Sequence, residues 1–575
     1  MINYLAIDFG TSNCVAGVLE RTSEGMKLRL IPLEKDVTML PSVLFVQQKD
    51  LPPLHISDTA FQIRLTSEEL REQQRLLDLE KEICEMLSVY ERQHGPRVKK
   101  PKLGDYLSAQ SYNKAMERYQ KDSESLPLAQ KRFRETELAE YESEIRAQLI
   151  RVLDKEQLKR KVKFSMARSL TEARSRLLWD KTFFGALLSD DMRVFYGNSA
   201  INEYSTDPMS GFLMRSPKAF LASEIQEQHR EIFIRAISRI FRRIRESAEG
   251  ATAQTYNGVV VGRPVNFMGN DEHSGNSRAV SIIREAAQRA GFVEVRFVLE
   301  PLAASLAIRR KLLDTDDPVL VIDIGGGTTD VAYLDVNPEK DESFSVRNVA
   351  GARIGGNDFD EAIAWSQISP FLGRGALFKD GKAIPSLIIS AALKTRDIHQ
   401  QARFRRSGDE IENFLQYVCD RDVENVTRLY EMFLNQLQHQ VLMTAERIKK
   451  RVNSNALVTE DLRFFETPFV VELDYSQFVT SCESSLRRIC SIVEQSLRDS
   501  GQPLDPVRVF LTGGMSQNSV VVDAIKAILP KGSSIDYMPA FKSIVGGLSI
   551  VAHTLNSSSS LLLEPDLVRG VAVMR

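Results

Sequence analysis

The sequence predicts an α/β protein interrupted by a long helical insertion, and three observations carry that reading. Short apolar runs ending in glycine turns alternate with helical patterns over 1–50 and again from about residue 195. One turn pattern, Asp, apolar, Gly and then hydroxyl residues between two apolar strands, occurs at 7–13 and again at 322–330. Between these α/β stretches, residues 61–170 carry 23 basic and 19 acidic side chains, 38% of the segment, and only two glycines.

Composition narrows the function classes. The 575 residues are long enough for about four average domains. A hydrophobic share of 43% and a charged share of 26% are those of an ordinary globular protein. Lys and Arg number 75 against 77 Asp and Glu, so the net charge of -2 gives no global attraction to nucleic acid or anionic membrane. Cys14, Cys84, Cys419, Cys482 and Cys490 form no CxxC pair and are too few for a disulfide framework. The chain reaches Asp8 without a basic n-region, and no stretch approaches the ~18 continuous apolar residues of a membrane span. A cytoplasmic protein is expected, with no membrane and no nucleic-acid partner.

Taken in order, 2–9, 15–19 and 43–46 read as strands. Within 61–170, Leu, Ile, Met and Tyr recur at three- and four-residue steps, which predicts two or three long helices broken near HGPRVKKPKLGD. The plain reading of this insertion is a solvated helical hairpin, and the functional alternative is a partner-binding arm. Acids interleaved almost everywhere argue against a nucleic-acid arm led by Lys99, Lys100 and Lys102. Helices follow at 225–250 and 276–290, with strands in TYNGVVVGRPVNF and VEVRFVLEP. PVLVIDIGGGTTDVAYLDV reads as strand, glycine turn and strand; 420–455 and most of 467–499 read as helix; PVRVFLTGGMSQ is strand then glycine turn. NSSSS at 556–560 is expected to be flexible. Trp179 and Trp365 read as core packing, and the histidines, His439 among them, have no metal-ligand spacing.

The repeated turn carries the chemistry. Glycine lets backbone approach a phosphate closely, consecutive amides form an anion-binding concavity, and Thr and Ser hydroxyls add donors. An aspartate repels phosphate, so Asp8, Asp323 and Asp330 belong toward a divalent cation or a water. Two more glycine turns follow: ARIGGNDFD at 352–360, with Gly355 and Gly356 opening a helix as a natural anion site, and VFLTGGMSQ at 509–517, where a flat ring can lie on the backbone. None of these is a GxxxxGK[ST] loop or a dinucleotide GxGxxG fingerprint.

In this order, IDFGTSN, IDIGGGTTD, RIGGNDFD and LTGGMSQ resemble the ATPases of the actin, hexokinase and 70-kilodalton heat-shock superfamily. The chain is most similar to the ATPase domain of the 70-kilodalton heat-shock chaperones, in a divergent bacterial branch without the peptide-binding domain. FYGNSAIN at 195–202, KAFLA at 218–222, LEPLAASLA at 299–307, AERIKKRVNS at 445–454 and SIVGGLSIVA at 543–552 extend the likeness to roughly 1–50 and 195–555. It implies an actin-like ATPase fold: two lobes, each a mixed sheet flanked by helices, with the helical insertion in the first lobe. The implied division is 1–55 and 191–315 for the first lobe, 56–190 for the insertion, 316–555 for the second lobe and 556–575 for the tail.

The resemblance also implies a site for ATP or ADP with Mg²⁺. Asp8 and Asp323 would hold the ion, mostly through waters, with Asp330 in support. Gly10, Thr11, Ser12 and Asn13 would wrap the phosphates on one side, and Gly325, Gly326, Gly327, Thr328 and Thr329 on the other. Lys218 stands where the family has its catalytic lysine and Glu300 where it has the glutamate that orients water, with Asp323 and Thr328 beside them. Gly355 and Gly356 would face diphosphate or ribose; Glu446, Lys449, Lys450 and Asn453 would line the nucleoside, with Gly513 and Gly514 under adenine.

Departures are specific. Gln517 and Lys450 replace two arginines whose guanidinium planes support the base, which predicts weaker nucleotide binding with the phosphate site kept. Residues 541–542 replace an acid near the closing helix, and Thr329 replaces a phenylalanine. LLLEPDL at 561–567 resembles the linker of full chaperones, yet only eight residues follow it, so no peptide-binding module is expected after 555. Client contact would then use the insertion or another surface. Alternatives are a sugar-type small-molecule kinase, for which no acceptor motif stands out, and a non-hydrolysing nucleotide-binding scaffold.

Overall fold

The computed structural model describes residues 2–556 apart from 24, 48–57, 106–107, 150–157, 160–161, 163–164, 167, 170–192, 209, 223–226, 268–271, 310–317, 338–342, 453–456, 502–504 and 539–541. Two compact units separate: Met1–Leu51 with Arg174–Arg575, and Pro52–Ala173. No described helix is long and apolar enough to cross a membrane.

In the first unit the repeated turn marks a repeated sheet. One sheet contains β1 (Tyr4–Phe9), β2 (Asn13–Thr22), β3 (Gly25–Leu30), β4 (Met39–Pro41), β8 (Gly258–Arg263) and β9 (Glu294–Leu299). A small sheet of β5 (Val43–Gln47), β6 (Arg193–Tyr196) and β7 (Gly211–Arg215) lies apart from it. The second large sheet contains β10 (Val319–Ile324), β11 (Thr329–Asn337), β12 (Ser343–Ala352), β15 (Arg508–Thr512) and β16 (Ser534–Tyr537). The orders are β3-β2-β1-β8-β9, with β4 beside β2, and β12-β11-β10-β15-β16. In both, an antiparallel meander leads with its first strand into two parallel partners. This is the α/β architecture with mixed sheets that the motif order implied.

Burial on both faces explains why β1 and β10 are apolar at nearly every position. Leu5, Ile7, Val259 and Val261 point toward the helices Glu227–Thr252 and Glu272–Arg289, meeting Ile237, Phe241 and Ile283. Ala6 and Val260 of the first sheet share a core with Val319, Val321 and Ala332 of the second. The helices Glu300–Ala307 and Lys542–Asn556 fill that core with Leu302, Leu306, Val545 and Leu548. Each such side chain contributes about 1.5–3 kcal/mol on burial. The two helices cross where a Cβ on Gly547 would lie 1.7 Å from the Ala303 carbonyl oxygen, so this position takes no side chain.

Several expectations need correction. The helix expected over 420–455 is two helices, Val423–Leu434 and Gln438–Arg451, broken where Gln436 adopts φ 53°. The helical reading of 467–499 holds only for Tyr475–Asp499; before it, β14 (Val470–Leu473) pairs antiparallel with β13 (Val458–Asp461). Asn556, expected to begin a flexible run, instead accepts the Tyr4 amide at 2.7 Å and donates to the Tyr4 carbonyl at 3.3 Å. Trp365 is half-buried under the Arg374 guanidinium rather than sealed in a core. Trp179, Asn453, residue 541 and the 561–567 segment lie outside the described residues.

The second unit is helical, as its spacing predicts. Among the described residues its long helices are Asp58–His94, Ala109–Glu135 and Glu137–Leu149, with the break between the first two beginning at Gly95. Tyr90 stacks on Tyr141 at 3.9 Å and faces Phe133 at 6.3 Å, and Leu65 packs with Leu158 and Val162. Arg146 ties Glu142 on its own helix to Glu80 on the first.

Candidate functional site

Two turns of the same construction face each other. The Gly10 amide donates to the Asn13 carbonyl at 3.0 Å, and the Gly325 amide donates to the Thr328 carbonyl at 2.9 Å. A Cβ on Gly10 would lie 2.4 Å from the Asn13 oxygen, which excludes any side chain there. The turns abut, because a Cβ on Gly326 would fall 1.9 Å from Ser12 Oγ. Thr11, Gly327, Thr328 and Thr329 are buried around them, and the Thr329 hydroxyl donates to the Ile354 carbonyl at 2.9 Å. Ser42 supports the first turn from behind: its hydroxyl donates to Gly10 O at 2.7 Å and its amide to Ser12 O at 2.8 Å.

The other two glycine turns buttress the second. The amides of Gly356 and Asn357 donate to the carbonyls of Gly325 and Gly326 at 2.9 and 2.8 Å, and the Gly355 amide donates to the Asp358 carboxylate at 2.8 Å. The first amides of the helix Gly356–Ile363 are therefore already partnered, unlike the open anion site expected there. The glycines serve close approach instead: a Cβ on Gly355 would sit 2.7 Å from Gly325 O and from Gly327 N. Gly513, at φ +87°, would place a Cβ 2.4 Å from Ile324 O. Gly514 and Gln517 of the same turn are exposed.

Behind the turns lies a buried group of four acids. Asp8 sits near the end of β1 opposite Val15, and Asp323 takes the same place in β10 opposite Asp330. Glu300 opens the helix Glu300–Ala307. Lys218 lies in the one-turn helix Pro217–Phe220, entered through Ser216 at φ 54°, a left-handed conformation that serine rarely adopts. Lys218 and Glu300 are 4% and 5% exposed, and their ion pair measures 2.5 Å. The Lys218 ammonium also lies 5.9 Å from the Phe267 ring centroid.

Burial pushes the Asp8 carboxyl up to about 7 and Asp330 to about 8, with the charge of Glu300 adding to each and Lys218 opposing. Asp323 is raised well above the usual carboxylate range for the same reasons, with Asp330 and Asp8 adding to the effect. Burial alone would lower Lys218, but Glu300 and Asp8 outweigh it and hold the ammonium charged. The Val265 amide donates to Asp330 Oδ1 at 2.7 Å, and the Thr328 hydroxyl also bonds this carboxylate. Asp323 Oδ1 and Asp330 Oδ2 are buried without a hydrogen-bond partner. Unpaired buried carboxylate oxygens are costly unless a cation or a proton meets them. Among the described residues, no group of three or more His, Cys, Asp or Glu is placed to hold a metal by itself.

The residues expected to line a nucleoside separate. Glu446 and Lys450 pair with each other at 2.8 Å, and Glu446 also meets Arg215 at 3.1 Å. Burial works against the Glu446 charge, but Arg215, Lys450 and Lys449 together draw its carboxyl down to about 2. Lys449 turns inward instead, to a buried ion pair with Asp360 at 2.7 Å and to the Gly356 carbonyl at 2.8 Å. A cavity of about 380 Å³ is lined by Ser12, Asn13, Asn198, Asn357, Glu446 and Lys450, among others, and so joins the first turn to the helix Gln438–Arg451.

Sequence reading passed over Ser42, Arg215, Ser216, Asn357 and Asp360. Asn357 and Asp360 left a signal as members of GGNDFD, but the Asp360 pairing did not, because its partner Lys449 is far away in sequence.

Comparison with known proteins finds likeness over part of the chain. Residues 218–373, which include Lys218, Glu300, the second turn and both glycines of RIGGNDFD, match the family model described as Hsp70 protein. "Chaperone protein dnaK1" of Prochlorococcus marinus is 26% identical over 340 residues, 58% of this chain and 41% of that protein. The chain thus spans well under two thirds of the curated relative it matches. Over this part of its length the chain is Hsp70-like.

Proposed function

We propose that the chain binds ATP with Mg²⁺ between its two glycine turns and hydrolyses it slowly. The opening and closing of two actin-like lobes would then act as a chaperone-like or regulatory switch in the cytoplasm. The observation that carries this reading is the buried group of Asp8, Asp323, Asp330 and Glu300, with unpaired oxygens on Asp323 and Asp330, directly behind two abutting glycine turns.

Asp8 and Asp323 would hold the ion, with Asp330 in support, and the ion would supply charge neutralisation to the phosphate oxygens. Gly10, Thr11, Ser12 and Asn13 on one side, and Gly325, Gly326, Gly327, Thr328 and Thr329 on the other, would bind and orient the phosphates. Lys218 would offset charge on the terminal phosphoryl oxygens, and Glu300, released from Lys218, would align a water in line. Gly355 and Gly356 would hold the second turn near diphosphate or ribose. Glu446 and Lys450 would bound the nucleoside, with Gly513, Gly514 and Gln517 toward adenine, while Lys449 would act from behind, through Asp360 and the Gly356 carbonyl. Movement between the lobes would be read by a protein partner, with the Pro52–Ala173 unit as its surface. Phosphate release from ATP with Mg²⁺ tests the reading. Slow turnover that disappears in Asp8→Asn and in Glu300→Gln is expected, and unchanged turnover in both variants would sink it.

A further inference from the structure

The helix Asp58–His94 carries two apolar faces. One is turned inward, with Leu65 and Ile83 buried. The other is solvent-facing: Ile63, Leu70 and Leu77 are 65%, 61% and 58% exposed, and Cys84 continues the same line, also exposed. Every step along this line is seven residues. At about 100° per residue, seven residues fall ~20° short of two turns, so three steps drift only ~60° and stay on one face. Single exposed leucines need no explanation. A repeat at the coiled-coil period does, because it is the spacing along which a second helix keeps contact.

The flanking column identifies that second helix. Arg64, Arg71, Asp78 and Glu85 each follow a stripe residue by one position, and all four are exposed. The column is basic in its first half and acidic in its second. A parallel copy would set like charges together. An antiparallel copy sets Arg64 and Arg71 of one chain toward Glu85 and Asp78 of the other, and does so twice, as a two-fold axis requires. Between stripe residues the same face carries Thr66, Ser67, Gln73 and Gln74, and then Glu80 and Lys81, whose charges are met within the chain by Arg146 at 2.5 Å and Asp78 at 3.4 Å. Arg71 already meets the half-buried Glu68 at 3.2 Å, and Asp78 meets the exposed Lys81 at 3.4 Å and accepts from Gln74 at 3.0 Å; these contacts with at least one exposed partner are weak competitors.

We propose that a second copy of this chain packs antiparallel along Ile63, Leu70, Leu77 and Cys84, with the Arg64, Arg71, Asp78 and Glu85 column closing one edge in each direction. A single apolar column, rather than the two of a full heptad seam, makes the pair weak and reversible. The pairing does not depend on nucleotide.

Sedimentation velocity on the full chain at tens of micromolar tests this. A concentration-dependent dimer is expected. Leu70→Glu combined with Leu77→Glu should raise its dissociation constant roughly a hundredfold, with helical circular dichroism unchanged. Arg71→Asp should weaken the dimer, and Arg71→Asp combined with Asp78→Arg should restore it. Ile63→Cys should form an inter-chain disulfide with Cys84 when treated with oxidised glutathione. A monomer at these concentrations, a dimer indifferent to the leucine pair, or a faster Cys84-to-Cys84 crosslink in the parent chain would overturn the proposal.

Discussion

Lys218→Ala and Glu300→Gln remove opposite halves of one buried ion pair, and their stabilities should differ sharply. The two side chains meet at 2.5 Å with almost no exposure, beside Asp8, Asp323 and Asp330. Deleting one partner of a buried pair leaves an uncompensated charge and costs roughly 3–5 kcal/mol. Lys218→Ala should reach the upper part of that range, because the group then holds four acids and has lost its most buried cation. Glu300→Gln removes one of those acids and, with it, a charge that raises Asp8 and Asp330, so these two carboxyls ionise more readily and balance Lys218. Its loss should be limited to a weakened hydrogen bond, about 1–2 kcal/mol. Urea unfolding followed by circular dichroism at neutral pH, without nucleotide or Mg²⁺, gives both values by linear extrapolation. Equal losses, or a larger loss for Glu300→Gln, would refute the view of this site as an acid cluster short of positive charge.

Three further outcomes follow from the packing. Gly355→Ala should abolish nucleotide-dependent phosphate release, because its Cβ would sit 2.7 Å from backbone atoms of the second turn; retained turnover would show that the turn yields freely. Gly547→Ala gains about 1 kcal/mol of helix propensity, but its Cβ would meet the Ala303 carbonyl at 1.7 Å. Overpacking of roughly 1–3 kcal/mol or more should win, and thermal unfolding should show a lower Tm. His439 is buried, and burial followed by Arg215 and Arg405 lowers it to about 3 from an ordinary 6.5. The folded state therefore binds fewer protons than the unfolded chain between those values. The stability His439 contributes is complete above pH 6.5 and is lost as pH falls toward 3. Chemical unfolding at pH 7 and pH 4.5 should show a shallower acid loss in His439→Leu than in the parent, by on the order of 2–3 kcal/mol; parallel losses would count against it.

Legibility in the sequence followed the range of the interactions. The hairpins around Asp8 and Asp323 could be read because a strand buried on both faces and a glycine turn are local chemistry. The sheets repeat because the hairpins do. The strand Val470–Leu473 was hidden inside an apparent helix, although its alternating exposure is plainly two-residue periodic once the partner strand is seen. The break at Gln436 had no glycine or proline to announce it. At the site, the residue types were legible but their distribution was not. Positions 446, 449 and 450 look like one helix face, yet Lys449 is drawn inward by Asp360, an acid 89 positions earlier in the chain. Ser42 and Arg215 act through backbone and ion-pair contacts with distant segments, which no local pattern records.

A crystal structure of the chain with Mg²⁺ and a non-hydrolysable ATP analogue tests the proposed site most directly. The β- and γ-phosphates should lie between residues 10–13 and 325–329, with the ion on the side of Asp8 and Asp323 and the Lys218 ammonium moved from Glu300 onto phosphate oxygen. Nucleotide bound elsewhere, or two glycine turns still abutting at Ser12 and Gly326 with no phosphate between them at saturating ligand, would contradict it.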